Sequence, residues 1–167
     1  MPNRSIKSKA RGSSVQLIDC LSSLFLLELL SPSPELYLIS PWLSKVVLIN
    51  NRYGQFRAVT SQSNKSELDL VDILKILADR GTRVRIMCRP QSSQTEDVLR
   101  ALSDSIEYRR METLHEKGLI SHHFYLRGSM NFTHAGVNLN DESIELTRNP
   151  DEVALALVAA RARWEGQ

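Results

Sequence analysis

Apolar residues change their spacing along this chain, and that change restricts the fold more than any other feature. The run Glu35-Leu-Tyr-Leu-Ile-Ser40 is short and continuous, as in a buried strand, and Pro41 ends it. Between Ser66 and Arg80 the apolar residues Leu68, Val71, Leu74 and Leu77 recur at helical spacing, with Gly81 placed to cap the end. Thr82 to Cys88 then alternates, with Val84 and Ile86 on one face and arginines on the other. A helix is predicted over Thr95–Leu102, and strands over Ile106–Arg110, Leu114–Ile120 and Phe124–Arg127. The last helix, Pro150 to Trp164, carries Val153, Leu157 and Ala160 along one side and proline in its first turn. Lys45–Asn50 reads as strand or short helix, and 51–65 as a loop with some irregular strand. Strands separated by helices early and adjacent strands late predict an α/β fold: a mixed β-sheet flanked by helices on both faces.

A length of 167 residues suits one domain with a real core, and 42% hydrophobic against 24% charged residues excludes a disordered chain. A net charge of +2 does not mark a nucleic-acid binder, but Arg4, Lys7, Lys9 and Arg11 crowd the start. Residues 1–12 are accordingly read as a flexible basic arm, able to touch a polyanion or simply solvated, and 13–167 as the domain. The apolar run Val15–Leu30 after that basic start resembles a secretion signal. However, Asp19 and Glu28 interrupt it, Ser-Pro-Ser-Pro follows it, and it is too short and charged for a membrane span. It is read as an amphipathic helix packed on the core, with no stable membrane insertion. Cys20 and Cys88 fit neither a disulfide framework nor a ligand spacing, so buried free thiols in a reducing cytoplasm are expected. No Cys/His cluster suggests a zinc site, and no cofactor is called for. The chain shows no internal repeat.

Chemistry concentrates in His115-Glu-Lys117, Gly128-Ser-Met-Asn131-Phe-Thr and Asn140-Asp-Glu142. Strand alternation would put His115 and Lys117 on one face. An imidazole attacks phosphorus well when a carboxylate holds its other nitrogen. Lys117 offers a point charge for phosphate oxygens, and Ser129 and Asn131 offer directed hydrogen bonds. A helix beginning just after Ser129 would add free N–H groups.

These residues resemble the phospholipase D superfamily, whose signature is HxK, then GSxN, then a downstream Glu. His115-x-Lys117 and Gly128-Ser-x-Asn131 match, Glu142 falls at the Glu position, and GSMNFTHAG looks particularly like the small bacterial nucleases of that superfamily. The Leu-Ile-Ser-Pro-Trp strand end, the Gly-x-x-Val-Arg-Ile-Met strand and a terminal helix ending near Trp164 also fit. The resemblance implies a phospholipase D-like single domain and a metal-independent phosphodiesterase working through a phosphohistidine. That reaction needs two histidines and this chain carries one motif, so it further implies a homodimer in which His115 of each subunit meets across a two-fold axis. Nucleic acid, DNA or RNA, is the implied substrate, and a bacterial restriction or anti-phage defence setting with protein partners is the implied context.

One departure stands out: His122 occupies the place where the family usually has Asp, and the spacer to GSxN is one residue short. Alternatives remain for single residues. Glu145 competes with Glu142 to orient His115, His134 is either a substrate contact or a solvated first-turn residue, and His122 and His123 point to opposite faces. Arg109, Arg110 and Arg127 either line a groove or sit on solvated strand faces. At the level of function the alternatives are a phospholipid hydrolase and a catalytically silent nucleic-acid-binding subunit of a defence complex.

Overall fold

The computed structural model describes residues 3–7, 14–60 and 64–166. A seven-stranded mixed sheet runs in the order β1 (Arg4–Lys7), β9 (Ser143–Thr147), β8 (Tyr125–Gly128), β7 (Gly118–Ile120), β2 (Glu35–Ile39), β5 (Arg83–Cys88), β6 (Glu107–Arg110). β2, β5 and β6 are parallel, while β7, β8, β9 and β1 continue the sheet antiparallel. A separate antiparallel pair joins β3 (Val47–Asn50) to β4 (Glu67–Asp69). The helices are α1 (Ser14–Leu30), α2 (Leu70–Asp79), α3 (Ser93–Leu102), α4 (His134–Asn138) and α5 (Pro150–Glu165).

The central strand β2 is buried along its whole length, which explains its unbroken apolar run. Leu36 and Leu38 join the larger core beneath α1, α2, α3 and α4, whereas Tyr37 and Ile39 face α5 with Met87, Ile120, Leu157 and Trp164. The expected mixed sheet with helices on both faces is what forms. Val15–Leu30 is helical as expected, burying Leu17, Leu21, Phe25 and Leu29 at successive turns. Glu28, which breaks that apolar run, is buried too: its carboxylate accepts from Ser33 N and Ser33 Oγ at 3.1 Å each, fixing the turn into β2. No helix of the described residues is long and apolar enough to cross a membrane. Cys20 is half-buried and Cys88 buried, both free, and burial pushes the Cys88 thiol up to about 11.

Several boundaries differ from the sequence reading, each for a local reason. Residues 4–7 are not a loose arm: Arg4–Lys7 pair with Ser143–Leu146 and Ile6 is buried. The remaining parts of that arm, 1–2 and 8–12, lie outside the described residues. Lys45–Asn50 resolves as strand. The first helix turn expected at Ser66 starts at Leu70, because Glu67–Asp69 pair with β3 and Asp69 caps the helix in a capping box with Asp72. The strand expected over Leu114–Ile120 pairs only over Gly118–Ile120. Upstream of Gly118 both neighbours turn away, β2 at Ser40-Pro41 and β8 at Ser129, so 114–117 has no ladder to join. β9 and the short α4 were not anticipated.

α5 is fastened at the sheet end where β2 begins. Glu35, 8% exposed, accepts from Arg161 Nε at 2.8 Å and from the Tyr37 hydroxyl at 3.2 Å, and His122 Nε2 stands 3.6 Å away. Arg85 donates to the Tyr37 hydroxyl at 2.7 Å and lies 5.2 Å from the Trp164 ring centre. The arginine face of β5 is thus partly built into the protein. Burial alone would push the Glu35 carboxyl up, but the bonds from Arg161, Tyr37 and His122 together hold it below its ordinary value. A depressed carboxyl stabilises the fold above the unfolded carboxylate range, and the contribution fades as pH falls through the lower folded value. Glu35→Gln should therefore cost about 1–3 kcal/mol at neutral pH, with the gap to wild type narrowing steadily in denaturation curves taken toward about pH 3. A gap independent of pH would contradict this.

Candidate active site

Antiparallel pairing brings the chemical segments to one edge of the sheet. Gly118 opposes both Ile39 and Arg127, and Gly128 opposes Ile144. The start of β7, the end of β8 and the start of β9 therefore meet beside the ends of β2 and β5, where an α/β sheet usually binds ligands. His115 and Lys117 precede β7, Ser129 and Asn131 follow β8, and Glu142 precedes β9.

The 129–134 segment is held by residues 40–44. Phe132 N donates to the buried Ser40 Oγ at 3.1 Å, Ser44 N donates to Phe132 O at 3.0 Å, and His134 N donates to Ser44 Oγ at 2.8 Å. Leu43 and Phe132 form a parallel bridge, and both side chains are fully buried. Two glycines permit close approach. A Cβ on Gly128 would stand 2.0 Å from Ser143 O, and one on Gly136 would stand 2.3 Å from Asn131 O. Gly136 of α4 thus lies directly behind Asn131. A helix just after Ser129, which would have added free N–H groups, does not form. Its place is taken by this tied loop, and α4 begins only at His134 with Thr133 as its cap.

His115 is exposed and Lys117 half-buried, and Lys117 Nζ donates to His115 O at 2.8 Å. The two are neighbours through this bond rather than through a shared strand face. Glu142 accepts the Ser129 hydroxyl and, at 3.4 Å, the Asn140 amide. Ser129 Oγ in turn accepts from Ser143 N at 3.0 Å, which ties the GSxN turn to β9. Glu145 lies one strand position away and is taken by Arg127, with Nε at 2.9 Å. Asn131 is half-buried, and its Oδ1 is buried without a hydrogen-bond partner among the described residues.

His122 is remote from this edge. It sits in the turn at the far end of β7, its N–H donating to Ser33 Oγ at 3.2 Å and its ring beside Glu35. His134 is exposed in the first turn of α4 and borders a cavity of about 580 Å³ together with Ser44, Lys45 and Arg100. A second cavity of about 440 Å³ opens beside Lys117, Arg127, Ser129 and Ser143. Arg110 is paired with Glu96 at 2.6 Å, and Arg109 stands 5.1 Å from the Trp164 ring centre. No group of three or more His, Cys, Asp or Glu is arranged to hold a metal among the described residues. Sequence reasoning missed one residue: Arg89, after β5, whose Nη2 lies 2.9 Å from His115 Nε2. Only its place at the end of a buried parallel strand could have signalled it.

The family model described as "Cardiolipin synthase, PLD-like domain" matches residues 47–164. The chain belongs to the phospholipase D-like family. Among solved structures, this phospholipase D-like chain is similar to Nuc, a phospholipase D family member from Salmonella typhimurium, at 17% identity and TM-score 0.63. That match covers 98% of this chain and 94% of Nuc. It is similar to NucT from Helicobacter pylori at 14% identity and TM-score 0.65, covering 98% and 96% of the two chains. Polyphosphate kinase from Porphyromonas gingivalis matches at 14% identity and TM-score 0.65, over 99% of this chain and 26% of the kinase. No curated protein matches the chain.

Gly128→Ala should destabilise the protein by about 1–3 kcal/mol through overpacking, because the added methyl meets β9 backbone rather than a flexible side chain. Thermal or denaturant unfolding measures this. Wild-type stability in the variant would mean that β8 and β9 are not as close as described.

Proposed function

We propose that this protein is a metal-independent phosphodiesterase, and most specifically a nuclease, that cleaves DNA or RNA at a site shared by two subunits. The observation that carries the reading is the convergence of His115, Lys117, Ser129 and Asn131 on one sheet edge in a chain of the phospholipase D-like family. In the first step a His115 nitrogen bonds to phosphorus as the bond to the leaving oxygen breaks, and the partner subunit's His115 gives that oxygen a proton. In the second step the same partner group takes a proton from water, whose oxygen displaces the imidazole. Lys117 and Asn131 hold the phosphate oxygens, and Ser129, bonded to Glu142, sets the turn that presents Asn131.

The single His115-x-Lys117 motif and its exposure support the dimer, since one subunit supplies one histidine where two are needed. The burial of Leu17, Leu21, Phe25 and Leu29 argues against lipid, because it removes Val15–Leu30 as a free lipid-facing segment. A cytoplasmic place in bacterial defence, with protein partners, extends the proposal on the resemblance of the GSMNFT run alone. The second reading, a silent nucleic-acid-binding subunit, differs from the first only in turnover.

With EDTA present, the protein should cleave single- or double-stranded DNA or RNA, and His115→Ala should reduce the rate by about a thousandfold or more. Sedimentation should give a dimer. Absence of cleavage, with His115→Ala no different from wild type, contradicts the proposal. Release of choline from phosphatidylcholine vesicles without nucleic-acid cleavage moves the assignment to lipid.

A further inference from the structure

Arg89 leaves the end of β5 with its backbone fixed: its N–H donates to Pro41 O at 3.0 Å. Its guanidinium lies 6.0 Å from the Trp42 ring centre, and its Nη2 reaches His115, 2.9 Å from Nε2 and 3.3 Å from Nδ1. Other arginines of this protein meet carboxylates: Arg110 meets Glu96, Arg127 meets Glu145, Arg161 meets Glu35 and Arg163 meets Glu116. Arg89 forms no such ion pair among the described residues, and its Nε is buried without a hydrogen-bond partner.

We propose that Arg89 is a phosphate ligand of this site, its guanidinium standing against the His115 ring until an anion arrives. The placing of that phosphate beside His115 for attack rests on the phosphodiesterase reading, whereas anion binding by Arg89 does not. An arginine can only donate, and an Nη2 this near both ring nitrogens lies on neither lone-pair axis, so it rests against the imidazole without a directed hydrogen bond.

A phosphodiester competes for the guanidinium on favourable terms. Charge-assisted bonds to an oxyanion are roughly twice as strong as neutral ones, and the planar fork can engage two oxygens at once. Turning Arg89 from the ring onto the phosphate therefore places a cation on the oxygens beside His115. The bond to Pro41 O leaves the backbone still, so the movement is confined to side-chain torsions.

The test uses the full chain with Arg89→Gln, and with Arg89→Lys as a variant that keeps the charge without the fork. Inorganic phosphate binding is measured by calorimetry, the His115 ring resonances are followed by NMR during the titration, and kcat and KM are measured on bis(p-nitrophenyl) phosphate. Arg89→Gln should weaken phosphate binding and raise KM by about tenfold or more, one strong charged contact being worth that much, and Arg89→Lys should recover part of the binding. Phosphate should shift the His115 resonances in wild type, and those of Arg89→Gln should already differ from wild type before any anion is added. Wild-type phosphate affinity and KM in both variants overturn the proposal, as does a fall in kcat alone, which would make Arg89 only a support for His115. Absence of phosphate binding by wild type overturns it as well. Arg89-dependent phosphate binding without any phosphodiester hydrolysis upholds the ligand and defeats the enzyme reading. Hydrolysis that needs His115 and ignores Arg89 does the reverse.

Discussion

The site depends on one fastening, the docking of residues 129–134 onto residues 40–44. A polar loop between two strands would ordinarily be mobile. Here three hydrogen bonds, two accepted by the Ser40 and Ser44 hydroxyls and one donated by Ser44 N, join the buried Leu43–Phe132 bridge in holding it to the end of the central strand. The loop carries Ser129 and Asn131 at one end and caps α4 at the other, so fixing Phe132 fixes all of them. Gly136 completes the arrangement by letting α4 lie against the Asn131 backbone. The Ser-Pro-Trp turn after β2 is thus part of the site's scaffold although it lies about ninety residues from the loop it holds.

The two ends of β7 have different work. At its start are His115 and Lys117, exposed or half-buried beside Arg89 and the GSxN turn. At its end His122 joins Glu35, Arg161 and Tyr37 in the network that holds α5 against the sheet. The substitution of His122 for the family Asp therefore falls on the fastening of a helix, a full strand away from the edge that carries His115 and Lys117. Glu116 belongs to both ends of this logic: it neighbours His115 in sequence and pairs with Arg163 near the end of α5, so that helix also steadies the approach to the site.

Much of this was readable before any coordinates, for identifiable reasons. Leu36, Leu38, Val84 and Ile86 declare strands because a strand buried on both faces or one must show apolar runs or alternation. The helix α2 declares itself by the spacing of Val71, Leu74 and Leu77 and by Gly81 after its end, whereas its start is set by the pairing of Glu67–Asp69 with β3. The residues His115, Lys117, Ser129, Asn131 and Glu142 could be picked out because their side-chain chemistry and spacing match a known signature. What the sequence concealed was set by partners distant along the chain. The length of β7 is decided by where β2 and β8 turn away, and β1 forms only because β9 offers an edge. Arg89 carries no local signal, because its role comes from which residue the sheet places opposite it. Glu142, expected beside His115, is seen bonded to Ser129, so its contribution is read through the turn it stabilises.

If His115 is the nucleophile of a phosphodiesterase, covalent trapping catches it bonded to phosphorus. A nucleic-acid substrate is mixed with the protein, quenched in alkali within the first turnover, digested, and examined by mass spectrometry. The expected result is an acid-labile, alkali-stable phosphoryl adduct on the peptide containing His115, absent from His115→Ala. Substrate cleavage with no adduct on that peptide, or with equal cleavage by His115→Ala, would contradict it.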